Sequence, residues 1–360
     1  MLYYLSVSLT RKMRKIEKNK ITYIHFLLTI LVILVHSANN NSLFERIFSI
    51  EVGIGQFAIP LFFIISGFLF FHKANTINDV KNKIIKRFYS LVIPYLIWNL
   101  IYYIFHLILE PETKCSLEIL IDAILNYSYN PVFWYIHQLI LLTIISPIIY
   151  YFVIIYKSEI ILFISLSLLI ILDINIPFIN EDAIIYYSFG ALLSRLYKEK
   201  RFKIINKEKI VIPLVLSIVL YALNREIHKY IFSNIELLPY YTLTIIYLRI
   251  SVAMTIFYIC DMLFNYKSVP IFMLNNFFLY SIHYIIVRFI IILTNNHLIK
   301  YINNDNFIII QIIIFIISPI ICICISNYLS LFLSKNTPKF YNLITGNRLS
   351  IVNHRYTNKK

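Results

Sequence analysis

The chain alternates between long apolar stretches and short segments rich in lysine, arginine or asparagine. An apolar helix of about 17–25 residues is long enough to cross the hydrocarbon core of a bilayer, which is roughly 30 Å thick. The pattern predicts ten spans, of which the fifth, sixth and seventh are the weakest. They cover residues 21–38, 52–72, 88–109, 132–155, 159–175, 183–197, 210–224, 240–264, 270–294 and 307–333. This is the pattern of an all-α, polytopic integral membrane protein.

Composition supports the same class. Of the 360 residues, 59% are hydrophobic and only 14% are charged, whereas about a quarter of a soluble protein is charged. The apolar content also excludes a disordered chain. The four cysteines have no zinc-site spacing, since Cys322 and Cys324 are separated by one residue. We therefore expect no metal and no permanently bound cofactor.

The charges indicate how the spans are oriented. Lysine and arginine favour the cytoplasmic loops of membrane proteins. With the N-terminus inside, 26 of the 33 lysines and arginines fall in cytoplasmic segments and 5 in outer loops. This predicts that both termini are cytoplasmic and explains the net charge of +15 without a nucleic-acid partner. The predicted divisions are a cytoplasmic basic N-terminal segment (1–20), a single transmembrane domain (21–333) and a cytoplasmic basic tail (334–360).

Two histidines stand out in the first span. An ionisable side chain inside a membrane helix is costly, so each is a functional candidate. His25 and His36 are eleven residues apart, which places them on one helix face about 16 Å apart along the axis. The alternative is that each histidine has its polar tip at a membrane interface.

Other spans carry further candidates within them or at their edges. They are Ser66 and Gly67, Lys86 and Arg87, Trp134 and His137, and His283 and Arg288. Ordinary explanations exist for most of them: helix packing for small residues, cytoplasmic anchoring for basic residues, and an aromatic belt for Trp134. The occurrence of His283 and Arg288 in one span is less easily explained by structure alone.

Taken in order, five motifs resemble those of the acyltransferase-3 family, integral-membrane enzymes that O-acylate cell-surface polysaccharides and related acceptors. The first is a basic residue and a histidine in the first span, with ten residues between them. The matching segments are His25 to His36, Phe62 to Phe68 preceded by Pro60, Lys86-Arg87 to Pro94-Tyr95, Trp134-Tyr135 to Pro147, and Asn276 to His283. The resemblance identifies residues 21–333 as an acyltransferase domain.

This resemblance implies roles for the candidate residues. His36 would be catalytic, either as a general base or as a transient acyl carrier, and the sequence leaves both open. The donor, acetyl-CoA or another acyl-CoA, would be bound through Arg87, Lys86, His25 and Ser66. The acceptor end would be lined by Trp134, His137, His283 and Arg288.

Two positions depart from the family pattern. The basic residue of the first span is usually arginine, and here it is His25, which is only partly charged at neutral pH. Many members also have a second arginine three positions after the one that matches Arg87, and here that position is Ser90. Both departures concern the expected contacts with the donor phosphates.

The expected function is transfer of an acyl group, acetyl in the first instance, from cytoplasmic acyl-CoA to a hydroxyl of a cell-surface or lipid-linked polysaccharide. The expected location is the cytoplasmic membrane, with lipids as the surrounding partners. The main alternative is a flippase or exporter of lipid-linked oligosaccharides, which would carry ionisable residues along many spans. A polysaccharide polymerase is disfavoured because the predicted outer loop from Glu110 to Pro131 has no arginine.

Overall fold

The computed structural model describes residues 2–38, 53–110, 116–231, 234–297 and 304–348, and these form helices without any strand. Thirteen α-helices follow one another in this part of the chain. They are α1 (Leu2–Ser37), α2 (Ala58–His72), α3 (Ile77–Arg87), α4 (Ile93–Leu109), α5 (Leu117–Leu125), α6 (Trp134–Ile149), α7 (Glu159–Ile171), α8 (Glu181–Lys198), α9 (Val211–Ile231), α10 (Leu238–Leu263), α11 (Asn276–His297), α12 (Asn304–Asn336) and α13 (Pro338–Thr345).

Within the described residues, 8 helical segments are long and apolar enough to cross a membrane. They are Lys15–Ser37, Gly55–His72, Ile77–Leu109, Pro131–Ile155, Lys207–Ile231, Ile235–Leu263, Ile271–Thr294 and Ile312–Asn336. Each overlaps one of the ten predicted spans. The chain is therefore a multi-pass membrane protein, as its apolar pattern predicts.

The fifth and sixth predicted spans form helices that fall outside this set. Helix α7 has only 13 residues. Helix α8 has 18 residues, but it carries acidic residues in its first turn and Arg195 and Lys198 in its last. The total of ten spans and the cytoplasmic placement of both termini stay predictions.

The chain divides into two compact units. Unit 1 consists of Met1–Leu28, Ile50–Lys83 and Ile144–Val269. Unit 2 consists of Thr29–Ser49, Ile84–Thr143 and Pro270–Lys360.

In unit 1, helices α2 and α8 cross at two glycines. A Cβ atom added to Gly67 would lie 2.2 Å from the Tyr187 carbonyl oxygen, and one added to Gly190 would lie 2.1 Å from that of Ile64. Only glycine permits so close a backbone approach. The rare glycine in the Ser66-Gly67 pair is therefore explained by helix packing.

A buried ion pair joins α1 to α10 in the same unit. The Nζ atom of Lys20 lies 2.8 Å from a carboxylate oxygen of Asp261, and both side chains are fully buried. The ammonium group also donates to the Ile204 carbonyl at 2.6 Å and lies 3.6 Å from the centre of the Phe257 ring. These contacts compensate the cost of removing the lysine from water.

In unit 2, buried polar side chains connect α4 to the segment containing α5. The Asn99 amide donates to the Ile124 carbonyl at 2.9 Å and accepts from the Asn130 amide at 2.9 Å. The Tyr95 hydroxyl donates to the Leu125 carbonyl at 2.6 Å. Because buried polar groups require partners, these bonds fix the position of α5 against α4.

Candidate active site

Unit 2 brings together the histidines of the first and ninth predicted spans. The ring centres of His36, on α1, and His283, on α11, are 5.5 Å apart. The ring of Tyr284 lies 5.1 Å from that of His36 in an edge-on arrangement. His36 is half-buried and His283 is fully buried. A small reacting group beside the two imidazoles would be within reach of both.

The contacts of His283 indicate which of its nitrogen atoms is available for chemistry. Its Nδ1 atom lies 2.6 Å from the Tyr280 carbonyl oxygen, so Nδ1 carries the proton and donates it there. The Nε2 atom is buried and has no hydrogen-bond partner among the residues that the structure describes. The Nδ1 bond fixes the orientation of the ring and leaves the lone pair on Nε2 available. This arrangement suits a proton acceptor.

Two tyrosines hold α11 in position around His283. The Tyr102 hydroxyl, on α4, donates to the Ser281 carbonyl at 2.9 Å. The Tyr280 hydroxyl donates to the Val132 carbonyl, just before α6. These buried bonds attach α11 to α4 and to the segment before α6, through residues that lie two and three positions before the histidine. Tyr102 and Tyr284 also belong to this candidate site, and neither could be predicted from the sequence, because tyrosine is abundant in the chain and neither stands out by pattern.

The predicted donor-binding residues Lys86 and Arg87 lie at the C-terminal end of α3. Lys86 is exposed and Arg87 is half-buried. Immediately after Arg87 the backbone forms a π-helical turn from Phe88 to Val92, which leads into α4. Such turns interrupt the regular hydrogen bonding of a helix and are frequent at functional sites.

The other predicted acceptor-side residues of unit 2 occupy separate surroundings. Trp134 begins α6. The His137 ring lies 5.3 Å from that of Tyr127. Arg288 donates to a carboxylate oxygen of Glu110 at 3.0 Å, in a partly exposed ion pair. Arg288 is thus engaged with Glu110, whereas His283 lies beside His36.

The remaining two predicted residues belong to unit 1. The His25 ring lies 5.6 Å from the ring of Phe62. Ser66 is half-buried on α2, next to the glycine at the α2–α8 crossing. Unit 1 therefore contains His25 and Ser66, and unit 2 contains His36, Arg87 and the acceptor-side candidates.

Chemically, the pair of imidazoles can accept and return a proton within a site that is largely shielded from water. Histidine suits this role because its ordinary pKa lies near neutral pH. Proton transfer of this kind is what the attack of a hydroxyl on an acyl carbonyl requires.

Comparison with known proteins agrees with this chemistry. Residues 18–327 match the family model described as an acyltransferase domain. Since the match covers most of the chain, the protein belongs to this family of membrane acyltransferases, as the motifs predict. No curated protein and no solved structure gave a significant match.

Proposed function

We propose that the protein is an O-acetyltransferase that moves an acetyl group from cytoplasmic acetyl-CoA to a hydroxyl of a cell-surface or lipid-linked polysaccharide. The observation that carries this proposal is the contact between the rings of His36 and His283 in a chain of the acyltransferase family. The proposed location is the cytoplasmic membrane, with both termini inside. Acetyl-CoA acts as a substrate and not as a bound cofactor.

In the proposed reaction, the acceptor oxygen attacks the carbonyl carbon of the thioester. His36, supported by the neighbouring His283, takes the proton from the hydroxyl as the new C–O bond forms. The C–S bond then breaks, and the leaving thiolate takes a proton from the imidazolium. The step yields an acetyl ester and free CoA, and returns the histidines to their starting state. We favour this direct transfer over an acyl-histidine intermediate, because the two adjacent imidazoles can together accept the proton that leaves the hydroxyl.

The donor is proposed to approach from the end of the bundle that contains Lys86 and Arg87. Guanidinium groups bind phosphate oxygens with paired, charge-assisted hydrogen bonds, which lysine cannot reproduce. Arg87 is half-buried at the start of a π-helical turn, whereas Lys86 is exposed. Arg87 is therefore the stronger candidate for a specific phosphate contact, and Lys86 contributes general attraction. A donor-side role for His25 and Ser66, which belong to unit 1, is proposed from the family motifs alone.

The acceptor is proposed to meet the site near the predicted outer end of the same unit. Trp134, His137 and Arg288 belong to elements whose outer ends lie in the chain segments that the charge pattern assigns to the outside. The ion pair between Arg288 and Glu110 is partly exposed, so both side chains can exchange partners when an acceptor binds.

The proposal is tested with purified protein in liposomes, radiolabelled acetyl-CoA and a panel of surface glycans. Wild type is expected to label one of the glycans, His36→Ala to abolish labelling, and Arg87→Ala to raise the KM for the donor. His106→Ala, in which a histidine of the same unit is removed from α4, is the matched control and is expected to retain activity. Unchanged labelling by His36→Ala would remove this residue from the mechanism. Glycan movement across the bilayer without acetylation would establish the flippase alternative.

A further inference from the structure

The short helix α13 is firmly attached to unit 2. Its Ile344 carbonyl accepts from the Trp98 indole of α4 at 2.9 Å. The Tyr341 hydroxyl lies 2.8 Å from the Ser330 hydroxyl of α12 and donates to Asn275 at 3.2 Å. Tyr341 and Ile344 are almost fully buried. The end of this helix therefore has a defined position relative to α4.

The chain leaves α13 directly against the π-helical turn that follows Arg87. Gly346 has φ +62°, and a Cβ atom added to it would lie 2.4 Å from the Ser90 carbonyl oxygen. A residue with a side chain would be strained in this left-handed backbone conformation and would clash with the Ser90 carbonyl. Glycine thus allows the segment after α13 to lie flush on the turn that contains Ser90.

This segment places Arg348 next to the Arg87 region. The Arg348 guanidinium carbon lies 3.7 Å from the centre of the Phe277 ring, and Nη1 donates to the Thr345 carbonyl at 3.2 Å. Burial, and secondarily the charge of Arg87, lower the pKa of Arg348 to about 9, so it stays protonated at neutral pH. Stacking on Phe277 fixes the plane of the guanidinium group.

Among the described residues, Arg87 and Arg348 lack a carboxylate partner. Two like charges brought together and partly withdrawn from water are unfavourable unless an anion joins them. The five N–H donors of each guanidinium match phosphate oxygens, so a phosphate would supply the counter-charge that the two arginines need.

We propose that Arg348 and Arg87 together form the binding site for the phosphates of the CoA donor. The proposal rests on the donor assigned under the proposed function. Arg348 lies beyond residue 327, where the family match ends, so this contribution comes from a part of the chain that the family motifs do not cover. A lipid headgroup phosphate has the same chemistry, and the experiment separates the two sources.

Binding is measured on the full-length protein in phosphatidylcholine nanodiscs, with three ligands: CoA, dephospho-CoA and pantetheine, which lacks phosphate. Arg348→Gln is expected to weaken CoA binding by about 10-fold or more, the loss expected for a charge-assisted phosphate contact. Its affinity for pantetheine is expected to match wild type. Lys339→Gln removes an equal charge from the exposed face of α13 and is expected to leave all three affinities unchanged.

A second variant allows for misfolding of the first, and a measurement with added lipid distinguishes a CoA phosphate from a lipid phosphate. Should Arg348→Gln unfold, Arg348→Lys carries the test, with CoA binding about 3-fold weaker or more because the paired geometry is lost. CoA affinity equal to wild type in the folded variant would overturn the proposal. If the folded variant binds CoA as wild type does but is no longer stabilised against heat by added phosphatidylglycerol, the two arginines bind a lipid phosphate. Failure of wild type to bind CoA at all would overturn the donor assignment itself, and this proposal with it.

Discussion

The contact between His36 and His283 predicts that their contributions to catalysis are not independent. The perturbation is a double-mutant cycle with His36→Gln, His283→Gln and the variant that carries both. Glutamine keeps much of the volume of histidine, and at position 283 it can still donate to the Tyr280 carbonyl that Nδ1 now contacts at 2.6 Å. The substitutions therefore remove the imidazole while disturbing the buried packing as little as the site allows.

The expected magnitude follows from the role of the pair. A positioned acid or base contributes about 10²–10⁴-fold to the rate, so about 10³ is expected for each single variant, or about 4 kcal/mol. Independent groups would lose about 10⁶ together, or about 8 kcal/mol. Rings 5.5 Å apart that act as one proton-transfer unit, as proposed, should instead lose about 10³ in the double variant, leaving an interaction energy of about 4 kcal/mol.

The assay is the initial rate of labelled acetyl transfer at saturating donor, with thermal unfolding recorded for each variant to establish equal folding. His106→Gln is the matched control, and its rate is expected to stay within about twofold of wild type, since it lies outside the proton pathway. A double variant whose loss equals the product of the single losses would refute a coupled pair. Wild-type activity in either single variant would refute the participation of that histidine.

Three further predictions concern stability and are read from thermal or denaturant unfolding in detergent. Gly67→Ala should destabilise unit 1 by about 1–3 kcal/mol because the methyl group forces two backbones apart; an unchanged midpoint would contradict the close crossing. Lys20→Met alone should lower the unfolding free energy by about 3–5 kcal/mol, because it leaves Asp261 as a buried charge without its ion-pair partner. Adding Asp261→Leu should recover much of this stability, and a double variant as unstable as the single variant would be inconsistent with the pairing. Glu110→Gln should change the unfolding free energy by about 1 kcal/mol or less, because its partner Arg288 is partly exposed, and a larger loss would show that the pair is effectively buried.

The sequence predicted the class of fold correctly because lipid imposes a simple rule on it. An apolar run of sufficient length is visible without any knowledge of packing, and eight described segments agree with it. The rule is least reliable for a helix that is surrounded by other helices and not by lipid. Helix α8 packs against α2 through Gly190, so it does not need the continuous apolar surface of a lipid-facing span and carries charge at both ends.

The candidate site was only partly predictable for a related reason. Histidines inside spans are conspicuous, so the sequence suggests both His36 and His283 as candidates, but their separation in sequence gives no sign that their rings lie 5.5 Å apart. Arg348 could not be found in the same way. It lies in a basic tail where arginine is ordinary, and only the attachment of α13 to Trp98 and the fit of Gly346 against Ser90 distinguish it.

The central claim is that a thioester acyl group passes to an acceptor hydroxyl at the His36–His283 pair. Its most direct test measures two products in the same proteoliposomes: the free CoA thiol released and the acetyl ester formed on the glycan. The claim predicts equal amounts of both for wild type, and neither above background for His36→Ala. Thiol release without ester formation, or ester formation that persists in His36→Ala, would contradict it.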